Sequence, residues 1–218
     1  MTEINLLSSL PKSKRSITER KEAKTEDHVK ISRMYGKEYF DGDREYGYGG
    51  YKYDGRWVSV AEDIKKHYGL NEGDKILDVG CAKGFLVKDF FDLGIQSSGI
   101  DISKYAIDNS LLEIRDKLTI GSAEKLPFSD NTFDAVVSIN TIHNLDRDKC
   151  KKAINEMQRV SKNKEKLFIQ VDSYLNEDQK KIFESWVLTA RFYGYPKEWL
   201  ELFKECDYKG DWNWTIIN

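Results

Sequence analysis

The chain has 218 residues, with 35 basic and 37 acidic side chains and a formal net charge of −2 at neutral pH. Because these charges nearly cancel, no global field draws the protein to nucleic acid or anionic lipid, and we expect neither as a partner. A hydrophobic fraction of 39% can build the core of one domain of this length. No apolar run approaches the roughly eighteen residues that span a bilayer, and residues 1–10 lack the pattern of a secretion signal, so a cytoplasmic protein is expected.

The three cysteines, Cys81, Cys150 and Cys206, are widely spaced and form no C-x-x-C pair. An odd number at such spacing indicates free thiols in a reducing compartment and gives no zinc-binding pattern. We therefore expect no metal.

Polar and charged side chains make up nearly all of residues 11–30, so residues 1–30 are expected to form a mobile or solvated segment. The remainder, residues 31–218, is expected to be a single domain. Its predicted parts are a cap or lid at 31–70, a cofactor-binding core at 75–173, and C-terminal helices with a last strand at 174–218.

Residues 39–57 interleave tyrosines and a tryptophan with glycines. The stretch is too aromatic for a disordered linker and too rich in glycine for a regular helix or strand. Two interpretations are open: an ordered loop that packs its rings over the edge of the domain, or a lid that encloses ligands. The side chains that a lid would offer to a ligand are Tyr46, Tyr48, Tyr51, Tyr53, Arg56 and Trp57.

A tight turn between Gly80 and Gly84 follows a buried apolar run and precedes an apolar helical run. The free N–H groups of a helix that starts there point back at the turn. About twenty residues on, Asp101 ends a second apolar run, at the edge where ligands bind in open α/β sheets. A carboxylate there can accept both ribose hydroxyls, so we predict a nucleoside-cofactor site. The predicted elements are helices at 58–68, ending at Gly69, and at 85–93, and strands at 75–79 and 97–102.

Two classes of cofactor use this layout. Nicotinamide cofactors favour G-x-G-x-x-G, but Ala82 and Phe85 stand at its second and third glycine positions, and Asp78 would repel a diphosphate. S-adenosylmethionine carries an ammonium and a sulfonium, which an acidic residue near the turn attracts. The pattern therefore favours S-adenosylmethionine and disfavours a nicotinamide-linked oxidoreductase.

Class I S-adenosylmethionine-dependent methyltransferases share two motifs that this chain resembles. The first runs from Asp78 to Gly84, with Ala82 in place of the middle glycine, and the second is Asp101 at the end of the next strand. Residues 121–134 are similar to the third and fourth motifs, with Ser122 where the family commonly has Asp. The cofactor contacts that the resemblance implies come from Asp78, Gly80, Cys81, Ala82, Gly84, Asp101, Ile102, Ser122, Ala123, Glu124 and Asn140.

The resemblance implies a Rossmann-like, doubly wound and mostly parallel sheet of six or seven strands with helices on both faces. It also favours the lid, since the family commonly places its N-terminal segment over the site. The family's last two strands form an antiparallel edge, but only about twelve residues follow Cys206, so the sixth strand is expected to be very short or absent. The later predicted elements are strands at 133–139, 166–171 and 212–217, and helices at 146–160, 177–192 and 196–206.

Two side chains near the predicted catalytic edge are candidates for proton handling. His143 lies in the loop after the fourth strand, and imidazole titrates near neutral pH, so it is a candidate general base for an alcohol or a protonated amine. A structural histidine bonded to backbone is the equal alternative. Asp172, predicted directly after the fifth strand, would orient a hydroxyl or pair with a cationic acceptor.

The activity that the resemblance implies is methyl transfer from S-adenosylmethionine to a small molecule, with S-adenosylhomocysteine as the product. Oxygen is favoured over nitrogen as the acceptor atom, and a sugar or other metabolite of surface-carbohydrate or secondary metabolism is the expected substrate. A methyltransferase-like domain that binds the cofactor or a partner without catalysis is the alternative.

Overall fold

The computed structural model describes residues 1–11 and 24–216. Its centre is a six-stranded sheet with the order β3-β2-β1-β4-β5-β6, in which every pair of neighbours is parallel. The strands are β1 (Lys75–Val79), β2 (Gln96–Asp101), β3 (Leu118–Ile120), β4 (Ala135–Ile139), β5 (Leu167–Ser173) and β6 (Asp211–Ile216). The helices are α1 (Glu26–Ser32), α2 (Lys37–Asp41), α3 (Val58–Tyr68), α4 (Phe85–Asp92), α5 (Lys104–Asp108), α6 (Arg147–Val160), α7 (Glu177–Trp186) and α8 (Pro196–Glu205), with 3₁₀ turns at Leu112–Lys117 and Ile142–Asn144.

Successive side chains of each strand point to opposite faces of the sheet, and apolar side chains occupy both faces, so helices cover both. Val136 belongs to one buried cluster with Ile154 of α6, whereas Val137 belongs to another with Ile64 of α3. β1 pairs with both β2 and β4. The strand order therefore runs outward from β1 in both directions, which makes β1 and β4 the topological switch point. Open α/β sheets bind ligands at the carboxyl ends of such strands, so the fold confirms the predicted Rossmann-like class and locates its crevice.

The last strand departs from the expected pattern. β6 is six residues long and pairs in parallel with β5, with Trp212 beside Ile169 and Trp214 beside Val171. Within the described residues no antiparallel strand follows, so the antiparallel edge that the resemblance implied is not formed there. The helix predicted over 177–192 is also shorter, because α7 ends at Trp186 and the next residue, Val187, is extended.

Residues 1–11 lie against the domain, contrary to the expectation of a mobile or solvated segment. Leu6 and Leu7 are buried with Val60 and Ile64 of α3, and the Ile4 N–H donates to a carbonyl oxygen of β6. The middle of that predicted segment, residues 12–23, lies outside the described residues. No helix in the described part of the chain combines the length and apolar character needed to cross a membrane.

Candidate cofactor and substrate site

The turn after β1 is fixed by backbone conformation. Gly80 has a φ of 87°, and its N–H donates to the carbonyl oxygen of Ile100 at 2.7 Å. A Cβ at Gly80 would overlap the side chain of Thr141 in the loop after β4, so this glycine lets the two loops touch. Gly84 is the N-cap of α4, and a Cβ there would press on Ile114 and Leu118. Gly84 therefore serves packing beneath the turn.

Asp101 at the end of β2 fastens the turn through its carboxylate. One oxygen accepts the N–H of Ala82 and the other accepts the N–H of Ser103, both at 2.8 Å. Burial raises the pKa of Asp101, and these backbone hydrogen bonds offset only part of that rise. The Ile102 N–H acts on the same carboxylate, which lines the cavity and keeps part of its acceptor capacity for a ligand.

Asp78 is a buried carboxylate in β1, only 5% exposed. Burial, together with the charge of Asp101, raises the pKa of Asp78 to about 7. Among residues 1–11 and 24–216, no cation or hydrogen-bond donor contacts its side chain. A buried carboxylate without a partner is costly, so this position favours a ligand that brings a positive charge.

A cavity of about 950 Å³ opens at this edge of the sheet. It reaches from the turn after β1 to the loops that follow β3 and β4, and the segment around Tyr35 and Tyr48 closes it from the other side. The predicted residues that line it are Asp78, Gly80, Cys81, Ala82, Asp101, Ile102, Ser122, Ala123, Glu124, Asn140, Tyr48, Tyr51, Arg56 and Trp57. The predicted residues outside its lining are Gly84, Tyr46, Tyr53, His143 and Asp172.

The wall of the cavity beyond β3 and β4 is built from short polar contacts. The Ser122 hydroxyl accepts the N–H of Glu124 at 3.1 Å, and the Glu124 carboxylate lies 3.4 Å from the Lys149 ammonium. Asn140 has a φ of 51°, and its Oδ1 accepts the Thr215 hydroxyl at 2.8 Å. Ser122 thus shapes its own turn, and within the described residues its hydroxyl proton has no acceptor, so it can donate to a ligand.

The aromatic segment, residues 39–57, is held against α4 by two contacts. The Tyr51 ring stacks on Phe85 with centroids 4.7 Å apart, and the Tyr53 hydroxyl donates to Asp89 at 2.5 Å. Arg56 pairs with Asp54 of its own loop, so its guanidinium already has a carboxylate partner. A movable lid stays a prediction, since these contacts describe one packed arrangement.

Lys83, to which the sequence motif assigns no role, connects this segment to the turn. Its ammonium lies 2.7 and 2.6 Å from the two carboxylate oxygens of Asp41 and donates to the Tyr51 carbonyl oxygen at 2.9 Å. The same carboxylate accepts the Tyr105 hydroxyl at 2.8 Å and the Tyr51 N–H at 3.1 Å. Burial alone would raise the pKa of Asp41, but these hydrogen bonds outweigh it and lower the pKa.

His143 and Asp172 lie side by side, behind the cavity wall. His143 Nδ1 accepts the backbone N–H of Asp172 at 3.0 Å, which leaves the ring proton on Nε2, 3.5 Å from the Asp172 carboxylate. Burial lowers the pKa of His143, and the nearby Asp172 charge offsets only part of this. Asp172 belongs to β5 itself, not to the loop after it. These contacts favour the structural alternative for His143, and a catalytic role stays a prediction that this geometry does not support.

For His143→Gln, we expect turnover to fall less than tenfold and stability to fall by about 1 to 3 kcal/mol, since a buried hydrogen-bond partner is altered. The lowered pKa means that the unfolded chain binds the proton more tightly. Wild-type stability should therefore decline as pH falls below the ordinary histidine value of about 6.5, and the variant should lose that decline. Urea unfolding at several pH values measures it. A loss of 10²-fold or more in turnover with unchanged stability would restore the base role.

Comparison with known proteins gives this arrangement a family. Residues 77–169 match the family described as "Methyltransferase domain". These residues form a methyltransferase domain. The match begins within β1 and ends within β5, and so includes the turn, Asp101 and the loop after β4.

Relatives of the methyltransferase domain act on varied substrates. A Caenorhabditis elegans protein named sterol 4-C-methyltransferase is 30% identical over 69% of this chain and 50% of its own length. An Arabidopsis thaliana tRNA (carboxymethyluridine(34)-5-O)-methyltransferase is 29% identical over 66% of this chain and 34% of its own. A solved S-adenosylmethionine-dependent methyltransferase from Methanosarcina mazei is 23% identical, with a TM-score of 0.53, over 65% of this chain and 82% of its own. The chain spans half or less of the length of these two curated relatives, so the family is shared and the substrate is open.

Proposed function

We propose that this protein binds S-adenosylmethionine in the cavity and transfers its methyl group to a small-molecule acceptor. Asp78 carries the proposal, because its buried carboxylate has no cation or donor beside it among the described residues and the cofactor's ammonium would supply one. A nicotinamide diphosphate would add negative charge at the same place. When bound, S-adenosylmethionine supplies a methyl group on a sulfonium, which an acceptor's lone pair can displace in line.

The residues present fit this cofactor. Asp78 would hold the ammonium, and the Asp101 carboxylate, which lines the cavity, would accept the ribose hydroxyls. Ile102 and the turn around Ser122 would flank the adenine. Cys81 packs against Gly99, and burial raises the pKa of its thiol well above the usual value, so it contributes shape and not reactivity.

The chain's own contribution to rate is positioning and the exclusion of water. An oxygen acceptor, which we favour over nitrogen, must also lose a proton. The carboxylates of Glu124 and Asp146 line the cavity and can take it. A sugar or another metabolite of surface-carbohydrate or secondary metabolism is the substrate class we propose. A carbon acceptor is the second candidate, since the Caenorhabditis elegans relative is named for transfer to carbon.

Calorimetric titration with S-adenosylmethionine, S-adenosylhomocysteine and NAD tests the cofactor. We expect the first two to bind and NAD not to. Asp101→Ala should weaken S-adenosylhomocysteine binding by about 2 to 4 kcal/mol, since it removes two hydrogen bonds to a charged group, whereas the exposed Asp116→Asn should not. Unchanged affinity in Asp101→Ala would contradict the assignment. Isotopic methyl transfer into extract metabolites separates an enzyme from a domain that only binds.

A further inference from the structure

A second polar region of the cavity lies away from Asp78 and consists of two arginines. Arg33 follows α1, and its Nη2 donates to the carbonyl oxygen of Ala190 at 3.2 Å. Its Nε is buried and has no hydrogen-bond partner within the described residues. Arg191, the next residue after Ala190, also lines the cavity. Its Nη1 is 3.8 Å from the Asp146 carboxylate, which is too long for a hydrogen bond.

The surroundings leave this pair short of negative charge. The pKa of Lys24 is lowered first by burial and second by repulsion from the nearby Arg33. Glu184 acts in the opposite sense on Lys24, and Asp146 lies near Arg191. Within the described residues, two guanidiniums and an ammonium therefore have two carboxylates near them, and one buried guanidinium N–H has no acceptor. A region of this kind favours a bound anion.

Tyr35 places the arginines relative to the cofactor residues. Its backbone has a φ of 50°, rare for a bulky residue, and its carbonyl oxygen accepts the hydroxyl of Ser103, two residues after Asp101, at 2.6 Å. After burial, the charges of Arg191, Arg33 and Asp101 all act on the pKa of the Tyr35 hydroxyl, so it lies near all three. By contrast, the pKa of Asp78 is shifted by burial and by the charge of Asp101, and neither arginine contributes to that shift. The carboxylate of S-adenosylmethionine sits on the same carbon as its ammonium, so an ammonium held at Asp78 keeps that carboxylate away from the arginines.

We propose that Arg33 and Arg191, with the Tyr35 hydroxyl, bind a carboxylate or phosphate group of the methyl acceptor. This inference rests on the proposed function, because it assigns the second ligand of the same cavity. Guanidinium groups match both anions through paired N–H donors, which gives orientation as well as affinity. The substrate class becomes an anionic metabolite, such as a sugar acid or a sugar phosphate, and not a neutral sterol.

The test measures anion binding apart from catalysis. Inorganic phosphate and glucuronate are titrated into the protein saturated with S-adenosylhomocysteine, and again into the protein alone. We expect Arg33→Gln and Arg191→Gln each to weaken anion binding by about ten- to a hundredfold, the usual effect of losing a hydrogen bond between charged groups. Arg147→Gln is the matched control, since Arg147 pairs with Glu205 on the surface and does not line the cavity. Methyl transfer from labelled cofactor into extract metabolites should appear in the fraction that anion exchange retains.

Each other outcome has a defined meaning. If the arginine variants weaken S-adenosylhomocysteine but leave 5′-methylthioadenosine unchanged, the pair binds the cofactor's carboxylate and the inference is overturned. If Arg147→Gln weakens anion binding as much as the cavity variants do, the anions respond to diffuse surface charge and the inference is overturned. It is also overturned if the methyl label appears only in neutral products. If wild-type protein binds the anions but no cofactor, the proposed function fails while the anion site stands.

Discussion

Asp78→Asn should abolish most cofactor binding and, at the same time, make the free protein more stable. The substitution removes the charge that would hold the cofactor's ammonium, so affinity for S-adenosylhomocysteine should fall by on the order of 2 to 4 kcal/mol, or roughly 30- to 1,000-fold. The asparagine keeps the shape of the side chain and carries no charge into the buried site. The exposed Asp116→Asn is the matched control.

The stability gain follows from the raised pKa. Asp78 titrates near pH 7 when folded, against an ordinary value of 3.8, so the folded state binds this proton more tightly than the unfolded chain does. Wild-type stability should therefore fall as pH rises from about 4 to 7 and stay reduced above that range. In Asp78→Asn this loss is absent, and at pH 8 the variant should be more stable by on the order of 2 to 4 kcal/mol. Urea unfolding without ligand measures the difference.

The same pKa predicts how affinity depends on pH. Below pH 7 the ammonium must displace a proton from Asp78, so wild-type affinity should weaken by up to about tenfold per pH unit. Above pH 7 it should be flat. Calorimetry in buffers of different ionisation enthalpy should detect release of about one proton on binding at pH 6. Affinity that is independent of pH between 6 and 8, or an Asp78→Asn variant that binds normally, would remove Asp78 from the cofactor site.

The sequence was sufficient for the parts of this site that depend on local pattern. The turn from Gly80 to Gly84 and the position of Asp101 follow from short-range features: glycine at positive φ, apolar strands and a helix that starts at a glycine. The helix at 58–68 has the predicted bounds. Nearly all of the predicted cofactor residues line the cavity, because parallel strands bring their carboxyl ends to one edge of the sheet.

The directions of the Asp172 and His143 side chains could not be predicted from sequence pattern. Every residue of β5 is buried, so alternation between buried and exposed positions could not show that the strand continues through Asp172 or which way it faces. His143 follows β4 by a few residues, but a 3₁₀ turn at 142–144 directs it behind the wall and not into the cavity. A loop position in sequence does not fix the direction of its side chain.

Long-range pairing was the other gap. Lys83 and Asp41 are 42 residues apart, and a lysine within a glycine-rich turn gives no sign of its partner. Leu6 and Leu7 are only two apolar residues beside a polar run, so composition predicted a solvated segment where the structure buries these two side chains. The proposed anion-binding pair, Arg33 and Arg191, combines residues from two ends of the chain, so sequence pattern could not bring them together either.

The ion pair between Lys83 and Asp41 should couple the aromatic segment to the cofactor turn. Lys83 is 7% exposed and Asp41 is 24% exposed, so Lys83→Met should destabilise the protein by about 1 to 3 kcal/mol, below the cost of breaking a fully buried pair. Without this link we expect protease cutting within residues 46–57 to be faster, and S-adenosylhomocysteine to bind about three- to tenfold more weakly, because binding must then order the segment. Lys104→Met, which breaks the exposed pair with Asp108, is the control.

A double-mutant cycle separates this coupling from general damage to the turn. Asp41→Asn alone should show the same faster cutting, and the double variant with Lys83→Met should cost less than the sum of the two, since each single change already breaks the pair. In the wild type, saturating S-adenosylhomocysteine should slow cutting within 46–57, and that protection should shrink in both single variants. Additive costs with equal cutting rates would mean that Lys83 only stabilises its own turn. Equal cutting of the wild type with and without ligand would leave the aromatic segment as an ordered loop that packs over the edge of the domain.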